Sequence, residues 1–477
     1  MVIRIVLLLI LLGLHCVHLG VRPPHHDESV NGWFVDGIFN RGYYQYDPQN
    51  YHGPLYFYIL TFFEKLFGRS IEVLRWPTIL FGWLVTATPF LFRRWLSNRG
   101  AWIAAFFLAV SPAMVFFSRY AIHEMGFTLF CILFFYFWLR AREESMTVKN
   151  VAGLGLTLGA MACMKENFVL YVATLLIAEG CIRVYERRFK IENPKKLLLG
   201  SLAIVAIAFV IIVPVFSAFF HDANGVPNFF KAFELWSKTG ENGNGHQKPF
   251  DYWLKLMSEL EWMAMLGLLL VPLALKKVPA QLRLISVMSF GLWLAYSIVA
   301  YKTPWCVLSF YWGLILVAAY WLSQWMARWT DRKKGLTIAL SVALVCGYGV
   351  SAYQSYDAAY ANPDQDGHLY IYGQTYRDLM GPLNEIVAAG KADPSLHQSL
   401  HIQVISAFTW PLPFILGEFK SVGYYGEKNA PPVLDAPIVI MDRSMENEFA
   451  PRLQGQYDRK EVRSRQWASP MVFFKKK

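Results

Sequence analysis

The stretch Leu198–Phe220 is predominantly apolar, carries no charged residue and is interrupted by Pro214. Crossing a hydrocarbon core of about 30 Å takes roughly 17–25 such residues as helix. Ala101–Phe117 meets that length as well, and Ile5–Gly20 sits at its short edge. Charged residues make up only 17% of the 477, and hydrophobic ones 55%, so the shortage of charge is gathered into runs. A soluble chain is excluded by this pattern. The runs predict about eleven spans, at 3–20, 74–92, 101–118, 124–140, 151–164, 167–182, 198–220, 257–275, 284–300, 306–327 and 335–352. The first span follows Arg4 without a clear small-x-small site, and is read as an uncleaved helix. The fifth is short and relies on Gly153, Gly155 and Gly159 for close packing. Leu55–Phe67 carries Glu64 and Lys65 and is too short to cross comfortably, so it reads as a helix lying at the interface.

Lys and Arg residues fix the sides. Nineteen fall in alternate linkers, beginning with Arg93, Arg94 and Arg99 and ending with Arg328, Arg332, Lys333 and Lys334. The short loops of the opposite face hold one each: Arg119, Lys165 and Lys302. The positive-inside rule then places the N-terminus in the cytoplasm and the tail outside, in a multi-pass cell (inner) membrane protein. The net charge of +11 is explained by these linkers and by membrane lipid, and no motif points to nucleic acid. The six cysteines lie in or beside apolar runs with no CxxC pair, as small buried hydrophobes.

Lone charges at helix ends need a partner or a wet cavity, which makes them site candidates. The first external loop, 21–73, carries His25-His26-Asp27-Glu28-Ser29 and later His52-Gly53-Pro54-Leu55. Asp27 and Glu28 suit either a cation or proton transfer, and they point apart on any regular backbone. His52 either contacts an anion or caps the helix that follows it. On a helix Arg119 and His123 would share a face, with Glu124 one step round. The Arg119 fork suits a phosphate, or pairs internally with Glu124. Lys165-Glu166 either forms part of a site or neutralises itself. The loop 221–256 includes the glycine-rich segment Trp236–Trp253 with His246, which reads as a substrate lid or as a connector. Lys302-Thr303-Pro304-Trp305 adds a further point charge and a belt aromatic, serving phosphate or anchoring the interface. No GxxxxGKS, GxGxxG, HExxH or GxSxG motif occurs, so cytosolic nucleotide chemistry has no visible seat.

His26-Asp27-Glu28-Ser29, His52-Gly53-Pro54-Leu55, Ser118-Arg119-Tyr120 with Glu124, Lys165-Glu166 and Lys302-Thr303-Pro304-Trp305 together resemble a known superfamily. It is that of the membrane glycosyltransferases that use polyprenyl-phosphate sugars, which includes protein O-mannosyltransferases and lipid A aminoarabinose transferases. Within it, the bacterial and archaeal branch called flippase-activity-associated is the most similar. The resemblance implies an all-α polytopic GT-C type fold over 1–352, followed by a small external α/β domain over 353–477. In that domain, Ile438–Met441 reads as a buried strand.

The implied reaction moves a sugar, hexosyl or mannosyl, from a polyprenyl-phosphate donor to an acceptor hydroxyl of protein, lipid or glycan, with inversion. Asp27, Glu28 and Glu124 take the catalytic positions. Arg119, Lys165 and Lys302 take the donor phosphate, and His26, His52, His123, Glu166, His246 and Trp305 line the substrate. At the second acidic position the neighbour of Glu124 is His123 rather than another carboxylate. The resemblance leaves a divalent metal, Mg²⁺ or Mn²⁺, open, with Asp27 and Glu28 as its holders. The rival expectation is a transporter or flippase accessory protein that binds the same lipid without chemistry. The absence of an internal repeat and the gathering of charge at one face weigh against it.

Overall fold

The computed structural model describes residues 1–188, 190, 193–238, 246–275, 278–329 and 334–477. Helix α1 (Val2–Leu14) leads into a first excursion made of α2 (His26–Arg41) and α3 (Leu55–Phe67), and α4 (Ile71–Ala87) follows. The bundle continues with α5 (Asn98–Val110), α6 (Pro112–Ser118), α7 (Glu124–Glu144), α8 (Val148–Met164), α9 (Phe168–Tyr185) and α10 (Pro194–Phe216). Next come α11 (Gly225–Ser237), α12 (Tyr252–Leu260), α13 (Trp262–Leu270), α14 (Ala280–Ile298), α15 (Leu308–Trp329) and α16 (Lys334–Tyr356). Helices therefore occupy every apolar run predicted to span, and α3 has the bounds the sequence indicated.

The count of eleven spans does not hold by length. Among the described residues seven helices are long and apolar enough to cross, and an eighth span is the pair α5 and α6, bent by 55°. Helices α4 and α8 have 17 residues each. At 1.5 Å per residue that is about 25 Å, the short limit of a crossing helix. The expected span 257–275 is broken at Glu261 between α12 and α13. Glu261 also explains the α5–α6 bend. Pro112 supplies no amide donor, and the Glu261 carboxylate accepts from the Ala113 amide at 2.7 Å and from Ser111 Oγ at 2.8 Å.

Glycines set the closest helix pair as expected. A Cβ on Gly159 would come within 2.9 Å of the Ala208 carbonyl oxygen, and one on Gly155 within 2.6 Å of Ile207, so α8 and α10 meet backbone to backbone. Helix α15 lies at the centre of the bundle, with Leu314–Ala319 all fully buried.

The linkers rich in Lys and Arg gather at one end, tied by Arg94–Glu143, Arg142–Glu179 at 3.2 Å and Arg283–Glu186 at 2.6 Å. Lys276, Lys277, Arg332 and Lys333 of that group lie outside the described residues. At the other end are the α2–α3 excursion, the turns at 119–123, 165–167 and 299–303, and the tail.

The tail folds into a five-stranded sheet of order β2-β1-β3-β5-β4. Its strands are β1 (Ile402–Ile405), β2 (Val422–Tyr425), β3 (Ile438–Asp442), β4 (Tyr457–Val462) and β5 (Met471–Lys476). The buried strand expected at Ile438–Met441 is β3. It pairs in parallel with β1, which pairs in parallel with β2, and antiparallel with β5. Alternate residues face opposite sides: Ile402, Val404, Ile438 and Ile440 pack against Leu379, Leu383 and Ile386 of α17 (Arg377–Ala392). Ile405, Val439 and Met441 pack against Leu434 and Phe449.

Candidate active site

Pro23 and Pro24 hold the chain extended, and His25 then caps α2. Its Nδ1 accepts the Asp27 amide at 3.1 Å, while the Glu28 carboxylate reaches back to the His25 amide at 3.0 Å. The other ring nitrogen of His25, Nε2, donates to the Tyr372 carbonyl at 2.9 Å. This cap fixes two carboxylates in the first turn and sends them in different directions.

Glu28 turns inward and is fully buried. Arg75 grips it with a fork, Nε and Nη2 each donating at 2.7 Å, and the Ala121 amide donates at 2.9 Å. Burial alone would raise this carboxyl, but Arg75 and Arg22 outweigh it and pull it to about 2. Asp27 turns the other way. Its side chain is 38% exposed, and His25 Nδ1, 3.8 Å away, has its lone pair taken by the Asp27 amide. Among the described residues nothing donates a hydrogen bond to its carboxylate. Desolvation in the recess, followed by the charge of Glu124, raises it to about 6 against the pull of His52 and Lys165.

Facing Asp27 are two turns. Lys165, at the end of α8, forms a buried ion pair with Glu124 at the start of α7. Glu166 is paired with His52 Nδ1 at 3.0 Å. Gly53 makes that pairing reachable: its amide donates to the Met164 carbonyl at 3.2 Å, and a Cβ there would stand 2.1 Å from the Cys163 oxygen. His123 packs between His52 and Tyr56, with ring centroids 4.9 and 4.7 Å away, and its buried Nε2 has no hydrogen-bond partner among the described residues. The recess thus brings together Asp27, His52, His123, Glu124, Lys165 and Glu166.

Other candidates are placed elsewhere. Arg119 lies against the first external turn: its guanidinium takes the carbonyls of His15 at 2.7 Å, Val17 at 2.7 Å and His18 at 2.8 Å, and lies 4.1 Å over Tyr360. These carbonyls belong to the turn that follows α1, and the fork ties that turn to the end of α6. Lys302 is likewise an anchor, with Nζ donating to the Val299 carbonyl at 2.6 Å and the Lys248 carbonyl at 3.2 Å. Glu28 is unsuited both as a base and as a metal ligand, because Arg75 and two amides occupy its oxygens. The Asp27 and Glu28 carboxylates point apart, and no cluster of three metal-ligating side chains occurs among the described residues.

His26 faces the tail, its Nδ1 accepting from Arg465 at 2.9 Å. Trp305 stands edge-on between His25 and Tyr372, at 6.1 and 6.2 Å. His246 Nδ1 lies 2.7 Å from the Tyr372 hydroxyl. Residues 239–245 of the lid segment lie outside the described residues, while Gln247 pairs with Tyr301. The sequence reading missed Arg75, Tyr372 and Arg465. Arg75 had a signal, a lone cation within an apolar run; Arg465, far along the chain, had none.

Residues 51–216 match the sequence profile of a family described as dolichyl-phosphate-mannose-protein mannosyltransferase. The fold is similar to that of ArnT from Cupriavidus metallidurans bound to undecaprenyl phosphate, at 14% identity and a TM-score of 0.63, over 99% of this chain and 97% of that one. The apo state of the same protein gives a TM-score of 0.65 at 14% identity over the same shares. An Archaeoglobus fulgidus oligosaccharyltransferase tethered with an acceptor peptide gives 0.60 at 12% identity, over 93% of this chain and 69% of that one. No curated protein matches the chain by sequence. The family match and the fold likeness agree with the superfamily that the motifs resemble and with its GT-C type fold.

Proposed function

We propose that the chain transfers a sugar from a polyprenyl-phosphate donor to an acceptor hydroxyl, at the external face of the cell membrane and with inversion. The observation that carries this reading is Asp27: an unbonded carboxylate at the recess, set across from the Lys165 and His52 cluster. In the reaction, charge develops on the departing phosphate. Lys165 and His52 stabilise it in a site where burial strengthens their effect. Asp27 accepts the proton of the attacking hydroxyl, and its attack from the side opposite the phosphate inverts the anomeric centre. Glu124 and Glu166 hold Lys165 and His52 in place. An apolar groove of about 470 Å³, lined by Ala162, Phe168, Ile212, Phe229 and Phe233 between α8, α9, α10 and α11, lies beside the Lys165 turn and suits a prenyl chain. The ArnT structure bound to undecaprenyl phosphate supports this donor class.

The test is transfer of radiolabelled sugar from a polyprenyl-phosphate donor by protein purified in detergent. Donor binding without any turnover would favour the accessory role instead. The side assignment has its own check. A cysteine placed at exposed Gln365 is expected to react with impermeant maleimide on intact cells, and one placed at exposed Ser145 is expected not to. The reverse pattern would put the site in the cytosol.

A further inference from the structure

The carboxyl ends of β1 and β3 lie side by side, because β1 leads to β2 on one flank and the chain returns to β3 on the other. In parallel sheets such a reversal opens a crevice where ligands sit. Here it holds Ser406 and Asp442, with the Asp442 carboxylate accepting from Ser406 Oγ at 2.8 Å and from the Ala407 amide at 2.9 Å. Next to them stands Arg465, its guanidinium 5.1 Å from the centre of the Phe408 ring and its buried Nε without a hydrogen-bond partner among the described residues. Arg465 also donates to His26, the residue before Asp27, so crevice and candidate base share a wall.

Aromatic rings rim this join and stay open to solvent. Trp467 is 75% exposed, Phe408 54% and Trp33 47%. Trp410 stands edge-on to both His26 and Trp33, at 6.0 and 6.2 Å. Trp467 adopts a φ of +64°, a left-handed conformation that is costly for a bulky residue, and it presents its indole beside Tyr372 at 4.8 Å.

We infer that this crevice binds the acceptor as a saccharide and presents one of its hydroxyls to Asp27, an inference that rests on the transferase reading above. A pyranose ring offers an apolar C–H face to exposed aromatics and a hydroxyl edge to the Arg465 guanidinium, whose Nε has no hydrogen-bond partner among the described residues. A peptide added as a strand needs a sheet edge, and the free edges here are β2 and β4, whereas the crevice is central. In the step served, the acceptor oxygen bonds to the anomeric carbon as that carbon's bond to the phosphate oxygen breaks. The proton passes to Asp27, and the electron pair leaves with the polyprenyl phosphate.

The test offers full-length protein in detergent to immobilised neutral oligosaccharides and to unglycosylated peptides, as wild type, Trp467→Ala, Phe408→Ala and Trp467→Phe. Melting temperatures are compared alongside to confirm folding. Wild type is expected to retain an oligosaccharide class, each alanine variant to lose at least tenfold, and Trp467→Phe to keep most of it. Retention of peptides alone, or saccharide retention unchanged in both alanine variants, overturns the inference; unchanged retention is the result for rings that only anchor the protein in lipid. Donor turnover by wild type, measured separately, keeps the two claims apart. Saccharide retention without turnover upholds the crevice and removes the transferase reading. Turnover without saccharide retention does the opposite.

Discussion

Asp27→Asn is expected to lower sugar transfer roughly 10²–10⁴-fold while donor affinity changes little, because it removes the proton acceptor and nearly preserves volume. The carboxylate is solvent-reachable, unbonded and raised to about 6. Above that value it is ionised and able to accept a proton, and below it the protonated form accumulates. Wild-type rate is therefore expected to be level near neutral pH and to fall about tenfold per unit below pH 6. Turnover of the Asn variant, measured over the same pH range, should lose that limb. Wild-type-like turnover in Asp27→Asn would remove Asp27 from the chemistry.

Glu28→Gln is expected to act on stability first. The change leaves the Arg75 guanidinium buried and uncompensated, a loss of about 3–5 kcal/mol for a broken buried pair. Thermal unfolding in detergent should show a large drop. Pairing it with Arg75→Met should recover part of the loss, because the stranded charge is then gone. Recovery stays partial because the His25 and Ala121 amides also lose a charged acceptor. A Glu28→Gln protein of native stability that fails to turn over would instead give Glu28 the catalytic role expected from the motif.

The contrast between these neighbours shows how far sequence reasoning reaches. Adjacent positions on a helix diverge by about 100°, so separate roles were legible. Which carboxylate faces inward depends on Arg75, whose place opposite Glu28 is set by folding. The His52–Glu166 and Lys165–Glu124 pairs arose from motifs already singled out, because Gly53 and the short turns force close backbone approach. Arg119 and Lys302 share a physical ambiguity: a lone cation at a helix end can serve a ligand or nearby carbonyls, and sequence does not show which carbonyls lie near. The span count differs for another reason. Apolar composition marked the right segments, but Pro112 and Glu261 break helices that composition alone would run through. Arg465 belongs to a contact between residues 439 positions apart, beyond any local pattern.

In the proposed reaction the recess between α2 and the turns at 119–123 and 165–167 holds the donor. A structure of the protein with bound polyprenyl phosphate tests it most directly. The phosphate is expected within hydrogen-bond distance of Lys165 and His52, with Asp27 across the recess and the prenyl chain running along the groove of α8, α9, α10 and α11. A phosphate seated at the Arg- and Lys-rich end of the bundle, with the Asp27 recess empty, would contradict it.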